Sequence, residues 1–128
     1  MPRDPVFNLL RLGNSQAVRE LLSTDRTLIH RLDLNDHSLL HYPAMDGHDQ
    51  DTPANLEMAK LLLSHGALVN SRALCFDTPL ICACMMGMKE MCELLLTNGA
   101  RFDLTLDNGR DSALDQAKSV GVVKALIR

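Results

Sequence analysis

Apolar residues recur along this chain at the three- and four-residue spacings that line one face of a helix. Four segments carry the pattern: Val18-Leu21-Leu22, Met58-Leu61-Leu62, Met91-Leu94-Leu95 and Val123-Leu126-Ile127. Each predicts an amphipathic helix. Upstream of each lies a shorter apolar stretch opened by a residue of N-cap type, namely Asp4, Ser38, Thr78 or Ser112, at intervals of 34, 40 and 34 residues. Such side chains accept a hydrogen bond from an otherwise orphan helix amide. Pro5 and Pro79 follow at the first helical position, where a missing N–H costs nothing. Gly13, Gly87 and Gly121 are placed to end the first helix in three copies, and Gly66 and Gly99 suit the left-handed cap that ends the second. The predicted unit is a short helix, a turn and a longer helix. Between units, ALVNSRALCFD and ARFDLTLDNGRD carry turn residues, and Asp107-Asn108-Gly109 is a hairpin signal.

The second copy is longer than the others. Pro43 should disturb its first helix, and Thr52-Pro53 supplies a fresh N-cap and first-position proline. Its second helix is therefore expected to begin near Pro53, leaving a surface loop over about 45–51.

Repetition at this period has a physical meaning. A single helix pair cannot bury its own apolar face, so neighbours must stack to share a core. The third copy, DTPLICACMMGMKEMCELLLTNGARFD, resembles the ankyrin repeat, whose pattern runs D-x-T-P-L-H-x-A-A-x-x-G and later L-L-x-x-G-A. The resemblance extends over nearly the whole chain. It implies an all-α solenoid of stacked helix-turn-helix units joined by β-hairpin-like loops, as one domain over 1–128. Repeat 1 is expected at about 1–33 as a polar N-terminal cap, repeat 2 at about 34–73, repeat 3 at about 74–107 and repeat 4 at about 108–128 as a C-terminal cap. Departures are informative. Asp25-Arg26 stands where repeat 1 would carry Gly-Ala, and Ile81 and Asp115 occupy the family's histidine position, which only His41 keeps.

Composition narrows the function classes. Hydrophobic residues make up 46 % of the chain, yet it has no Trp, one Tyr and three Phe, so Leu, Val, Ala, Met and Cys must fill the interior. A formal charge of −3 offers no footprint for nucleic acid or anionic lipid. No apolar run approaches the roughly 20 residues of a membrane helix, and the stretch MPRDPVFNLLRLG has no apolar core of the length a signal peptide needs. The four cysteines are therefore expected as reduced thiols of a cytosolic or nuclear protein. A monomer is expected, with room for weak self-association through the repeat 3 patch.

Candidate chemistry concentrates in residues 77–100, which hold three of the four cysteines and four of the seven methionines. On a helix Cys82 and Cys84 lie about 200° apart, so they cannot jointly clamp a metal. The resemblance places Cys84, Met88, Met91 and Cys92 at family positions that face the neighbouring repeat, where Met and Cys act as adaptable apolar filler. Cys82, Met85 and Met86 share the other face, the donor set of a soft-metal site for Cu(I). A thiol- or copper-responsive switch centred on Cys75, Cys82, Met85 and Met86 is accordingly one alternative, and a regulatory segment of a larger protein is another.

The leading expectation is a non-catalytic protein-binding module without cofactor or metal. In proteins of this kind the first helices and hairpin tips line the concave, partner-binding side. The resemblance then assigns to that side Leu34, His37 and Tyr42 of repeat 2 and Leu74, Cys75, Phe76, Cys82, Met85 and Met86 of repeat 3. Leu106, Asn108, Arg110 and Gln116 of repeat 4 complete the patch. The alternative for Leu74 and Phe76 is to tuck between loops and merely join repeats. The loop Asp46–Asp51, with His48, lacks the register of a calcium loop. Asn70 stands where related proteins are sometimes hydroxylated, and otherwise stabilises its turn. No catalytic motif is present, and the histidines at 30, 37, 41, 48 and 65 have no nucleophile beside them.

Overall fold

The computed structural model describes residues 5–45, 53–74, 76–101 and 103. Three helix pairs occupy them: α1 (Pro5–Leu12) with α2 (Ser15–Thr24), α3 (His41–Met45) with α4 (Pro53–Ser64), and α5 (Pro79–Met85) with α6 (Lys89–Thr97). A 3-10 helix over Arg26–His30 follows α2. No strand is formed among the described residues; an isolated antiparallel bridge, Leu32 to Ser38, marks one hairpin-like loop.

Local chemistry explains where the helices start. Thr78 caps α5, its hydroxyl oxygen accepting from the Ile81 amide at 3.2 Å with Pro79 next in line. Asn14 caps α2 by accepting from the Ala17 amide at 3.2 Å. Ser38 departs from the expected N-cap role. Its hydroxyl lies 2.8 Å from His41 Nδ1, its own amide donates to the same nitrogen, and α3 begins only at His41. Asp4 and Ser112 lie outside the described residues. Pro43 falls inside the first turn of α3, where its missing N–H is an orphan position anyway, and the helix runs only five residues. The start of α4 at Pro53 is as expected, while residues 46–52 are outside the description.

The helix ends are equally legible. Gly66 and Gly99 adopt φ of 91° and 92°, a region open to glycine without the Cβ penalty. At each, two bonds close the helix end: Gly66 N–H to Leu63 O and Ala67 N–H to Leu62 O in the one, Gly99 N–H to Leu96 O and Ala100 N–H to Leu95 O in the other. This is the Schellman arrangement. Gly13 and Gly87 end α1 and α5 in the same way; Gly121 is outside the described residues.

The pairs stack in two layers. In the first, α1 packs on α3 and α3 on α5; in the second, α2 packs on α4 and α4 on α6. One continuous core results, with Val18, Leu22, Leu39, Leu40, Leu62, Met91 and Leu95 essentially sealed from water. Cys84 and Cys92 lie inside it with their sulfurs 3.6 Å apart, a packing contact between α5 and α6. Repeat 1 adds Leu28 and Ile29 through its 3-10 helix, which Asp25 caps by accepting from the Thr27 amide and hydroxyl.

Polar ties join the same layers. Asn70 accepts from the Arg101 amide at 2.8 Å and donates to the Gly99 carbonyl at 3.2 Å, so its side chain serves as a brace between successive loops. The Leu74 amide donates to the Asn35 carbonyl across two loop tips.

Leu95→Ala is expected to destabilise the domain by about 2–5 kcal/mol in urea melts, the cost of a cavity in a core that both layers share. Asn70→Ala should cost about 0.5–1.5 kcal/mol, since two hydrogen bonds to backbone are lost at a partly exposed site.

Candidate protein-binding face

Two loops project from the stack and are built alike. In the first, the Asp33 amide donates to the His37 carbonyl and the Asp36 amide to the Asp33 carbonyl. In the second, the Ala73 amide donates to the Asp77 carbonyl and the Phe76 amide to the Ala73 carbonyl. Both turns need a left-handed residue before their last position, and it is Asp36 with φ 61° in one and Phe76 with φ 66° in the other. Asp tolerates this conformation. A bulky aromatic does not, and carries roughly 1–3 kcal/mol of strain there. Phe76 is nevertheless 46 % exposed, with the Arg72 guanidinium 5.2 Å above its ring.

Four of the residues expected on the binding face are exposed: Leu34 at 94 %, Leu74 at 58 %, Phe76, and Met85 at 39 %. Leu74 and Phe76 therefore do not tuck between loops. Met86 and His37 are half-buried. Tyr42 and Cys82, expected at the surface, are buried. The Tyr42 ring packs 5.1 Å from that of Phe7 on α1, beneath the Arg11 guanidinium at 5.7 Å, and its hydroxyl donates to Asp33 Oδ2 at 2.7 Å. Burial and that carboxylate push the Tyr42 hydroxyl up to about 12. The Cys82 thiol donates to Asp77 Oδ2 at 3.3 Å, and burial, followed by the Asp77 charge, raises its pKa well above the ordinary thiol value. Cys75, Leu106, Asn108, Arg110 and Gln116 lie outside the described residues, as does His48.

A polar network that the residue pattern did not disclose supports these tips. Asp33 Oδ1 accepts from the Asn35 and His37 amides at 2.8 and 2.9 Å, shaping the first loop. Burial raises the Asp33 pKa, but the Tyr42 and loop hydrogen bonds prevail, and the carboxyl stays below its usual range. His37 stands between two loops, with Nδ1 3.4 Å from Asp33 Oδ2 and Nε2 3.4 Å from Asp77 Oδ2. Behind it His41 is fully buried. An amide can only donate, so His41 Nδ1 accepts from Ser38 N–H at 3.0 Å; Nε2 then carries the proton and donates to the Asp77 carbonyl at 2.8 Å. The imidazole is a strut between the second and third pairs. The sign for this network was present at Asp33, four residues before His37 and eight before His41, but the partner Asp77 is 36 residues beyond His41.

A two-layer stack of helix pairs, with loop tips projecting beside the first helices, defines a repeat protein built of stacked helix hairpins. The chain belongs to the ankyrin-repeat family: a family model described as three copies of ankyrin repeats matches residues 54–128. Among curated proteins it is 35 % identical over 95 residues to a transient receptor potential cation channel subfamily A member 1 homolog of Caenorhabditis elegans, covering 74 % of this chain and 7 % of that one. Human protein phosphatase 1 regulatory subunit 27 is 29 % identical over 109 residues, 84 % of this chain and 66 % of the subunit. Serine/threonine-protein kinase VIK of Arabidopsis thaliana is 34 % identical over 87 residues, 68 % of this chain and 18 % of the kinase. The chain thus spans only part of each of these relatives. Ankyrin repeats are in general protein-interaction modules, and among the described residues no helix is long and apolar enough to cross a membrane.

Burial of His41 lowers its pKa, the desolvation outweighing the favourable Asp77 carbonyl. Below the unfolded value of about 6.5 the unfolded chain therefore binds the proton more readily, and stability present above that pH is lost as pH falls. Asp33 adds a loss of the same sign in more acidic solution. Denaturant midpoints should fall steadily from pH 7.5 to 5, and more steeply than those of His41→Gln, the variant expected to be less stable at pH 7.5.

Proposed function

We propose that this chain is a non-catalytic module that binds a partner protein or peptide along its loop tips and first helices. The observation that carries the reading is Phe76, a large apolar ring kept exposed on a left-handed backbone that glycine would occupy without strain. Strain retained at an exposed aromatic is the kind of cost that a binding surface justifies. Leu34, Leu74 and Met85 are further exposed apolar side chains, and exposed apolar surface favours contact sites. The half-buried His37 and the buried Tyr42 and Cys82 support this surface from beneath. Tips held by backbone bonds and by the Asp33–His37–Asp77 contacts lose little freedom when a partner docks, which favours affinity.

The name of the human relative, a regulatory subunit of protein phosphatase 1, agrees with a role in binding rather than catalysis. Its partner belongs to that protein; for this chain the partner is defined here by chemistry alone, an extended or helical segment presenting apolar side chains. The chain's small share of the channel and kinase relatives is compatible with service as a regulatory segment of a longer protein. Reduced, buried thiols at Cys82, Cys84 and Cys92 suit the cytosol or nucleus. A redox switch on Cys82 is disfavoured because its raised pKa keeps the reactive thiolate scarce.

Phe76→Gly separates stability from binding. Relief of strain offsets the lost ring contacts, so the melt should move by no more than about 1 kcal/mol. Affinity for a partner captured from the native cell should fall at least tenfold, as for a central aromatic anchor. Leu74→Lys should act in the same direction. Partner affinity unchanged in both would remove this face from the reading.

A further inference from the structure

We propose that a cleft between the first and second helix pairs is a binding site for a small monocarboxylate that carries an apolar group. The cleft holds about 440 Å3 and is lined by Leu22 and Ser23 of α2, Arg26 and Ile29 of the 3-10 helix, and His65 just past α4. Clefts of roughly 300–1,000 Å3 are the usual size for small ligands. This one belongs to the layer of second helices and makes no use of the loop tips.

The first pair ends differently from the others, and the cleft lies at that difference. After α4 and α6 a glycine closes the helix, Gly66 in one and Gly99 in the other. After α2 the chain carries Asp25 and Arg26 instead, and it turns through a 3-10 helix capped by Asp25. Leu22 and Ile29 are buried and form an apolar floor. Ser23, Arg26 and His65 are exposed and form the rim. His65 is fixed in orientation, since its Nδ1 lies 3.0 Å from the Leu61 carbonyl. A carbonyl can only accept, so Nδ1 carries the proton and donates there. Nε2 is then an acceptor, which directs a carboxylate away from the ring and towards Arg26.

Charge selects the ligand. Arg26 is the one permanent cation among the described lining residues, and none of them is acidic. The neighbouring Asp25 carboxylate is engaged by the Thr27 amide and hydroxyl. A guanidinium presents parallel N–H groups that match the two oxygens of a carboxylate. The C-terminal ends of α2 and α4 border the cleft, and such ends carry partial negative charge. A single cation beside them balances one negative charge and disfavours a phosphate dianion. The apolar group of the ligand then covers Leu22 and Ile29.

The test titrates the 15N-labelled chain with sodium benzoate and follows amide cross-peaks. Those of Leu22, Arg26, Ile29 and His65 should shift saturably, with a dissociation constant of about 1–10 mM for so small a ligand. Benzamide, the neutral counterpart, should bind at least tenfold more weakly. Arg26→Gln should weaken benzoate at least tenfold, while Arg19→Gln, outside the cleft, should leave it unchanged. Ser23→Phe, which fills the cleft from its rim and keeps Arg26, should also block benzoate, and the spectra record that each variant is folded. Absence of saturable shifts, benzamide binding as well as benzoate, or unchanged affinity in Arg26→Gln or Ser23→Phe overturns the site. Tighter binding of phenyl phosphate than of benzoate overturns the assignment to a monocarboxylate.

Discussion

No helix pair in this chain can keep its own apolar face dry. α3 has five residues and α5 seven, each far below the length at which an isolated helix holds together in water. Their order comes from the neighbours: α1 against α3 and α3 against α5 in one layer, α2 against α4 and α4 against α6 in the other. Because every interface is shared, the core is one body from Val6 to Ala100. That shared burial is what allows short helices, and it is also what lets the loops beside them be held in fixed positions.

Directional contacts then set the spacing that burial alone leaves loose. His41 bonds at both ring nitrogens, inward to Ser38 and across to the Asp77 carbonyl, so the second pair measures its distance to the third. Asn70 does the same between the stretch leading into the second loop and the backbone of Gly99 and Arg101. Such bonds contribute modestly in net free energy but are costly to leave half-made inside the fold. The third repeat carries Ile81 in place of the corresponding histidine, and Ile81 is fully buried. The strut is thus exchanged there for apolar packing.

At the loop tips the energetic preference runs the other way. Phe76 sits where backbone geometry favours glycine, and Leu34 and Leu74 stand in water although a core lies close by. Beneath them a chain of polar groups, from Tyr42 through Asp33 and His37 to Asp77 and Cys82, joins two successive loops. The same network holds the tips in register and ties the fold to pH through His41 and Asp33.

The period of apolar residues, the capping threonine at 78 and the glycines at 66 and 99 are local signals, and helices α2, α4, α5 and α6 could be read from them directly. Those features depend on a residue's own backbone preferences and its near neighbours, which a sequence states openly. Even the brace at Asn70 was half legible, as a turn former whose partners could not be named. Burial of Tyr42 and Cys82 was not legible, since it depends on Phe7 of a different pair and on a carboxylate in a neighbouring loop. The left-handed Phe76 and the meeting of His41 with Asp77 were hidden for the same reason. Local chemistry chose the helices and their ends; which side chains face water and which polar groups share a site was decided only when distant segments came together, because burial and hydrogen bonding are properties of the pair and not of either residue alone.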